Sequence, residues 1–167
     1  MFPPGAGQSR IKLTSHLPSQ VLSMPWSKWL NVANQIAYSG PAIYELRVVN
    51  KNGNPFKLNR FLGQDPEGIL SIGETNNMEK RRSQFISGIT KCYGHSECNL
   101  LYYLLKNTAF ATAFDSYRLE YRYSSCTTKH DAQQEERVSI KTYICKFGEV
   151  PPLNSAIPDR YNGWPVP

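Results

Sequence analysis

Residues 70–82 constrain the fold most. They run Leu70-Ser71-Ile72-Gly73-Glu74-Thr75-Asn76-Asn77-Met78-Glu79-Lys80-Arg81-Arg82 and read as a short strand that closes on glycine and passes directly into a basic helix. Asn76 or Asn77 can cap that helix. Within it Met78, Arg81, Arg82 and Phe85 fall at i, i+3, i+4 and i+7, which puts an arginine at the edge of the buried face. Upstream, Ala42-Ile43-Tyr44-Glu45-Leu46 opens a β-rich stretch over 42–49, with Tyr44, Leu46 and Val48 on one face. Such a pair of segments can set a phenol and a guanidinium around one phosphate.

The rest of the chain supplies partners for these two segments. Residues 25–37 read as a helix, with proline in the first turn and Trp26, Leu30, Ala33 and Ala37 on one apolar face. Residues 50–55 are a turn, and 55–67 a polar, basic insertion before the strand at 69–72. Ser96 can cap a further helix, and 117–123 alternates apolar with charged residues as a third strand does. Residues 132–147 form the clearest helix, with Ile140, Tyr143, Ile144 and Phe147 inward and Gly148 as terminator. Glu136 shares that inner stripe, where a carboxylate is costly unless a partner or metal meets it. The pattern predicts one domain over 1–167. It comprises an arm and helix at 1–39, a core at 40–155 and a tail at 156–167. Its α/β (α+β) layer holds a small, three-stranded, mostly antiparallel sheet with helices packed against it and an extra N-terminal helix.

Composition narrows the class. A length of 167 residues with 40% hydrophobic and 12% aromatic content suits a domain with a real core and argues against disorder. The formal net charge of +6 favours a polyanionic partner, with nucleic acid the commonest. No apolar run approaches a bilayer span, and the first eight residues lack the pattern of a secretory signal. The expectation is therefore a cytoplasmic protein, without membrane partners, whose four cysteines are reduced thiols.

In order and spacing these parts resemble the GIY-YIG nuclease superfamily over roughly residues 40–155. Ala42-Ile43-Tyr44 stands for Gly-Ile-Tyr and Ser71-Ile72-Gly73 for Tyr-Ile-Gly. Arg81, eight residues after Gly73, matches the essential arginine, and Gly94-His95-Ser96 a loop with a functional histidine. Glu136 matches the metal-binding glutamate, and Asn154 closes a Pro-x-Asn-like element. Two departures stand out. Ser71 replaces a tyrosine that helps position the attacking water, so another group or a bridging water fills the gap, or activity is altered. Glu74 places a negative charge where a phosphate would sit unless it turns away.

The resemblance implies a metal-dependent DNA endonuclease, of restriction, homing or mobile-element type. Tyr44 would take the proton of the attacking water, Arg81 would bind nonbridging phosphate oxygens, and Glu136 would hold Mg²⁺ (or Mn²⁺). A nearby Arg81 and the metal would need to favour the phenolate of Tyr44. His95 would relay protons or bind phosphate, and Asn154 would fix the site. Lys51, Lys57, Arg60, Lys80 and Arg82 would track the phosphates of double-stranded DNA. Arg82 is also the rival to Arg81 for the catalytic place, and an ion pair with Glu79 or Glu120 is the structural alternative for Arg81. A homodimer is one way to cut two strands. Two other readings stay open: a non-catalytic nucleic-acid-binding module of the same fold, motivated by Ser71, and a zinc-stabilised interaction protein built on Cys92, His95 and Cys98, with Cys126 or His130 as further ligands. Cys145 reads as a packing group.

Overall fold

Nine residues of β2, Ala42–Asn50, run through the middle of the molecule with all but the last buried. In the computed structural model, which describes residues 25–92, 96–113 and 117–155, this strand lies between β5 (Ile69–Thr75) and β6 (Tyr117–Ser125). A two-residue strand β1 (Leu30–Asn31) adds to the far side of β6, so the antiparallel sheet has the order β1-β6-β2-β5. The fold is mixed α+β. The third strand expected from the sequence is β6, and the fourth, β1, was not anticipated.

β1 replaces the expected helix at 25–37. The Ser27 amide donates to the Tyr123 carbonyl (2.8 Å), and the Val32 amide to that of Leu119 (3.1 Å). Pairing to β6 thus outweighs the helical spacing of Trp26, Leu30 and Ala33, because tertiary bonds override a weak local propensity. The polar insertion at 55–67 is also ordered, as a hairpin of β3 (Leu58–Arg60) and β4 (Gly63–Asp65).

Among the described residues four helices complete the architecture: α1 (Met78–Lys91), α2 (Ser96–Lys106), α3 (Thr108–Ala113) and α4 (Lys129–Phe147). Asn77 caps α1 through its side-chain oxygen, which accepts from the Lys80 amide. Thr128 and Asp131 form a reciprocal capping box on α4, which therefore starts three residues before its sequence-predicted beginning at 132. Gly148 ends it with φ 78°, a left-handed turn that favours glycine. Among the described residues no helix is long and apolar enough to cross a membrane.

Two apolar clusters flank the sheet. Tyr44, Leu46 and Val48 of β2 join Met78 and Phe85 of α1 and Cys98 and Leu101 of α2. Ile43 of β2 joins Ile69 and Ile72 of β5 and Ile140, Tyr143 and Phe147 of α4. The strict alternation of β2 feeds one cluster with even and the other with odd positions. A register shift between Leu46 and Arg47 absorbs one extra residue of β5, so Leu70 joins Tyr44's cluster and Ile69 the other. Cys145, expected to pack, is exposed on α4.

Candidate active site

The site grows from one cross-strand pair. Tyr44 sits opposite Gly73, and Leu46 opposite Ser71, so Tyr44, Ser71 and Gly73 share a face. A Cβ at Gly73 would overlap the Tyr44 hydroxyl and ring; glycine is what lets the phenol lie across β5. The ring meets Phe85 edge-on at 5.4 Å and is 2% exposed. Its hydroxyl donates to Oε2 of Glu97 at 2.9 Å, and Ser71 is near enough to the same carboxylate to favour its charged form. Arg81 completes the group. Its guanidinium carbon lies 5.5 Å from the Tyr44 ring centre, and its Nη2 donates to the Glu74 carbonyl at 3.4 Å. Arg81 alone in this group is partly exposed; Tyr44, Ser71, Gly73 and Glu97 are buried. An anion drawn from solvent therefore meets the guanidinium first.

The electrostatics correct one expectation. Burial pushes the Tyr44 phenol well above its ordinary value, and Glu97 adds to this as a neighbouring charge and as hydrogen-bond acceptor. Arg81 pulls the other way but is outweighed, and Glu136 adds a smaller upward push. Tyr44 is thus a neutral phenol and a donor in the resting protein, not the phenolate anticipated. Burial likewise raises the Glu97 carboxyl, against the lowering effects of Ser71, Tyr44 and Arg81.

Glu97 is the residue that sequence reading missed. An acidic side chain in the first turn of α2 suits the helix dipole and carries no other local signal. The packing of α2 against α1 and the Tyr44 face of the sheet brings it to Tyr44. It accepts the hydrogen bond of the Tyr44 phenol and lies near Ser71.

The other predicted residues divide. Glu136 is buried on the inner stripe of α4, with Ala132, Ile140, Tyr143 and Phe147, and its charge is felt at Tyr44. Asn154 binds the backbone of β5: Oδ1 accepts from the Ile72 amide (3.0 Å) and Nδ2 donates to the Ile72 carbonyl (2.7 Å). Its amide is fully used there, one residue from both Ser71 and Gly73. Glu74 pairs with Ile43, so its side chain leaves toward α4, where Lys129 lies 3.9 Å away. His95 lies outside the described residues.

The basic residues proposed to track phosphates are not one group. Lys51, Lys57 and Lys80 are exposed. Lys80 neighbours Arg81, whereas Lys51 follows the opposite end of β2 from Tyr44, about 20 Å along the strand. Arg82 and Arg60 require correction. Arg82 is buried, forks onto Glu79 at 2.9 and 2.6 Å and donates to the Val32 carbonyl at 2.9 Å. It is the structural arginine of α1, and the ion pair with Glu79 belongs to it and not to Arg81. Arg60 is ion-paired with Glu149 (3.1 Å), bonded to the Val150 carbonyl (2.6 Å) and set 5.9 Å from the Tyr143 ring centre. Both fasten segments of the fold.

Among the described residues no group of three or more His, Cys, Asp or Glu side chains is arranged to hold a metal ion. Cys98 packs in the core against Gly88. One hard carboxylate, that of Glu136, does fit Mg²⁺, which takes one or two carboxylates and fills its remaining positions with water and phosphate oxygens.

Comparison of the chain with protein-family models, with curated proteins and with solved structures gave no match. The functional reading accordingly rests on the geometry of Tyr44, Ser71, Arg81, Glu97 and Glu136.

Proposed function

We propose that the protein is a metal-dependent DNA endonuclease of the GIY-YIG type, hydrolysing phosphodiester bonds in double-stranded DNA. The observation that carries this reading is the placement of the Arg81 guanidinium over the ring of Tyr44, at 5.5 Å, from elements far apart in the chain. Arg81 binds nonbridging oxygens of the scissile phosphate through its planar fork, which a lysine does not reproduce. The phosphate then lies beside the phenol. Tyr44 acts as general base: it takes the proton of the attacking water as the oxygen closes on phosphorus, and its own phenolic proton moves on within the buried group in the same step. Glu136 would hold Mg²⁺ or Mn²⁺, which when bound supplies Lewis-acid stabilisation of the leaving oxygen. Lys80, Lys57 and Lys51 add sequence-independent attraction to the backbone, in keeping with the net charge of +6.

One specific observation favours a second reading, a non-catalytic nucleic-acid-binding module. Tyr44 is 2% exposed and held as a neutral phenol, with Ser71 in the place of the family's second tyrosine. A plasmid assay separates the two. The wild-type chain with Mg²⁺ is expected to give nicked or linear product. Glu136→Ala is expected to abolish product while retarding DNA in a gel as well as the wild type or better, because a negative charge near phosphate has gone. Retardation without product from the wild type at any divalent metal would establish the second reading.

A further inference from the structure

We propose that Glu97 is the proton acceptor of Tyr44, so that a phenol–carboxylate relay takes over the task that Ser71 is too short to perform. The inference rests on the nuclease reading and names a residue which that reading does not require. Three observations converge on it. The Tyr44 hydroxyl already donates to Glu97 Oε2 at 2.9 Å, which fixes the phenolic proton on the Glu97 side and turns the oxygen's remaining lone pair away from the carboxylate. Ser71, from the neighbouring strand, is close enough to the same carboxylate to favour its charged form. Glu97 is itself buried, and Arg81, the group assigned to the phosphate, acts on it as a neighbouring charge.

The step balances without any further reactant. Water loses one proton to the Tyr44 oxygen, and the Tyr44 proton passes to Glu97 Oε2. The hydroxide oxygen bonds to phosphorus as the bond from phosphorus to the leaving oxygen breaks. Tyr44 ends as it began, a neutral phenol, and the proton resides on Glu97. A phenol that stays neutral on both sides of the step removes the difficulty posed by its burial, since no phenolate has to persist in an apolar site. Arg81, from α1, faces this relay together with Tyr44 from β2 and Ser71 from β5, while Glu136 from α4 acts on its phenol end. When Arg81 turns its charge to a phosphate, the carboxylate loses part of the attraction that keeps it ionised and becomes the better base.

The test is single-turnover cleavage of duplex DNA by the full chain with Mg²⁺, using Glu97→Gln and Glu97→Ala beside the wild type. Glutamine keeps an acceptor for the phenol but cannot take its proton. Its rate is expected to fall on the order of 10²–10³-fold, with DNA affinity and melting temperature equal to or above those of the wild type. In Glu97→Ala, added formate is expected to restore at least about tenfold in rate, as a small carboxylate entering the vacated space. Three results would overturn the proposal: Glu97→Gln cleaving within about threefold of the wild type, a loss of rate matched by loss of folding stability, or no recovery with formate. A wild-type chain that binds DNA and never cuts it would overturn the nuclease reading and this relay together, whereas an active Glu97→Gln overturns the relay alone.

Discussion

The two faces of β2 treat charge in opposite ways. On the face toward α4 and the tryptophans, Glu45 and Arg47 are buried and fully paired. Arg47 binds Glu120 at 2.9 Å and Glu67 at 3.0 Å and lies 3.9 Å over the Trp29 ring. Glu45 takes Arg122 at 2.6 Å, and Arg122 in turn lies over Trp26 and Trp29. These pairs form a ladder in which each charge is met by its opposite and each guanidinium by an indole. On the other face, Tyr44 and Glu97 share one hydrogen bond inside an apolar shell, and the cation nearby is partly turned to solvent. The ladder is closed and holds the sheet. The phenol–carboxylate group, with both ionisations perturbed by burial, is the one proposed as the site.

Substitutions on the two faces should therefore fail differently. The largest effect is expected on the ladder. Arg47→Ala leaves Glu120 buried without its main partner and should cost about 3–5 kcal/mol of folding stability, read as a lower urea midpoint. If stability stays within experimental error, the ladder is not what secures that face. Arg81→Lys should leave the urea midpoint close to that of the wild type but slow cleavage by roughly 10²–10³-fold, because an ammonium cannot fork onto two phosphate oxygens. Parallel losses in both measurements would erase the distinction between the faces.

The smallest effect is the most diagnostic. Burial raises the Glu97 carboxyl above its unfolded value near 4.5, so the folded state resists its ionisation. That contribution to stability is complete below about pH 4 and is lost as pH rises through the folded value. At neutral pH the charge is a burden, and Glu97→Gln should raise the melting temperature by a few degrees, about 2–4 °C for each kcal/mol recovered. The gain should vanish in acid. A lower melting temperature at pH 7 would mean that Glu97 is a fastening residue like its counterparts on the ladder.

Much of this plan is written in local pattern. The alternation of β2, the caps of α1 and α4 and the inward stripe Ile140, Tyr143 and Phe147 are all periodicities that a strand or helix must have to bury one face. Tyr44 could be marked by its place in the Ala42-Ile43-Tyr44 motif, and Arg81 by its spacing from Gly73 and its place at the edge of a buried helix face. Other parts have no local signature. Trp26 and Leu30 have helical spacing, yet their segment is claimed by the free edge of β6. Arg81 and Arg82 are adjacent and chemically identical; Val32 and Glu79 decide which one is consumed by structure. Glu97 looks like any acidic residue opening a helix until the sheet arrives beside it.

The last described residues bear on how two copies of this chain can meet. β5 is an outermost strand, and its backbone would otherwise offer a template for another chain's strand. The Leu153 amide takes the Leu70 carbonyl at 2.8 Å, and Asn154 occupies both backbone groups of Ile72. With that border sealed from within, two molecules cannot join there into one continuous eight-stranded sheet. A pair of copies poised to sever both strands of a duplex would have to dock through some other surface.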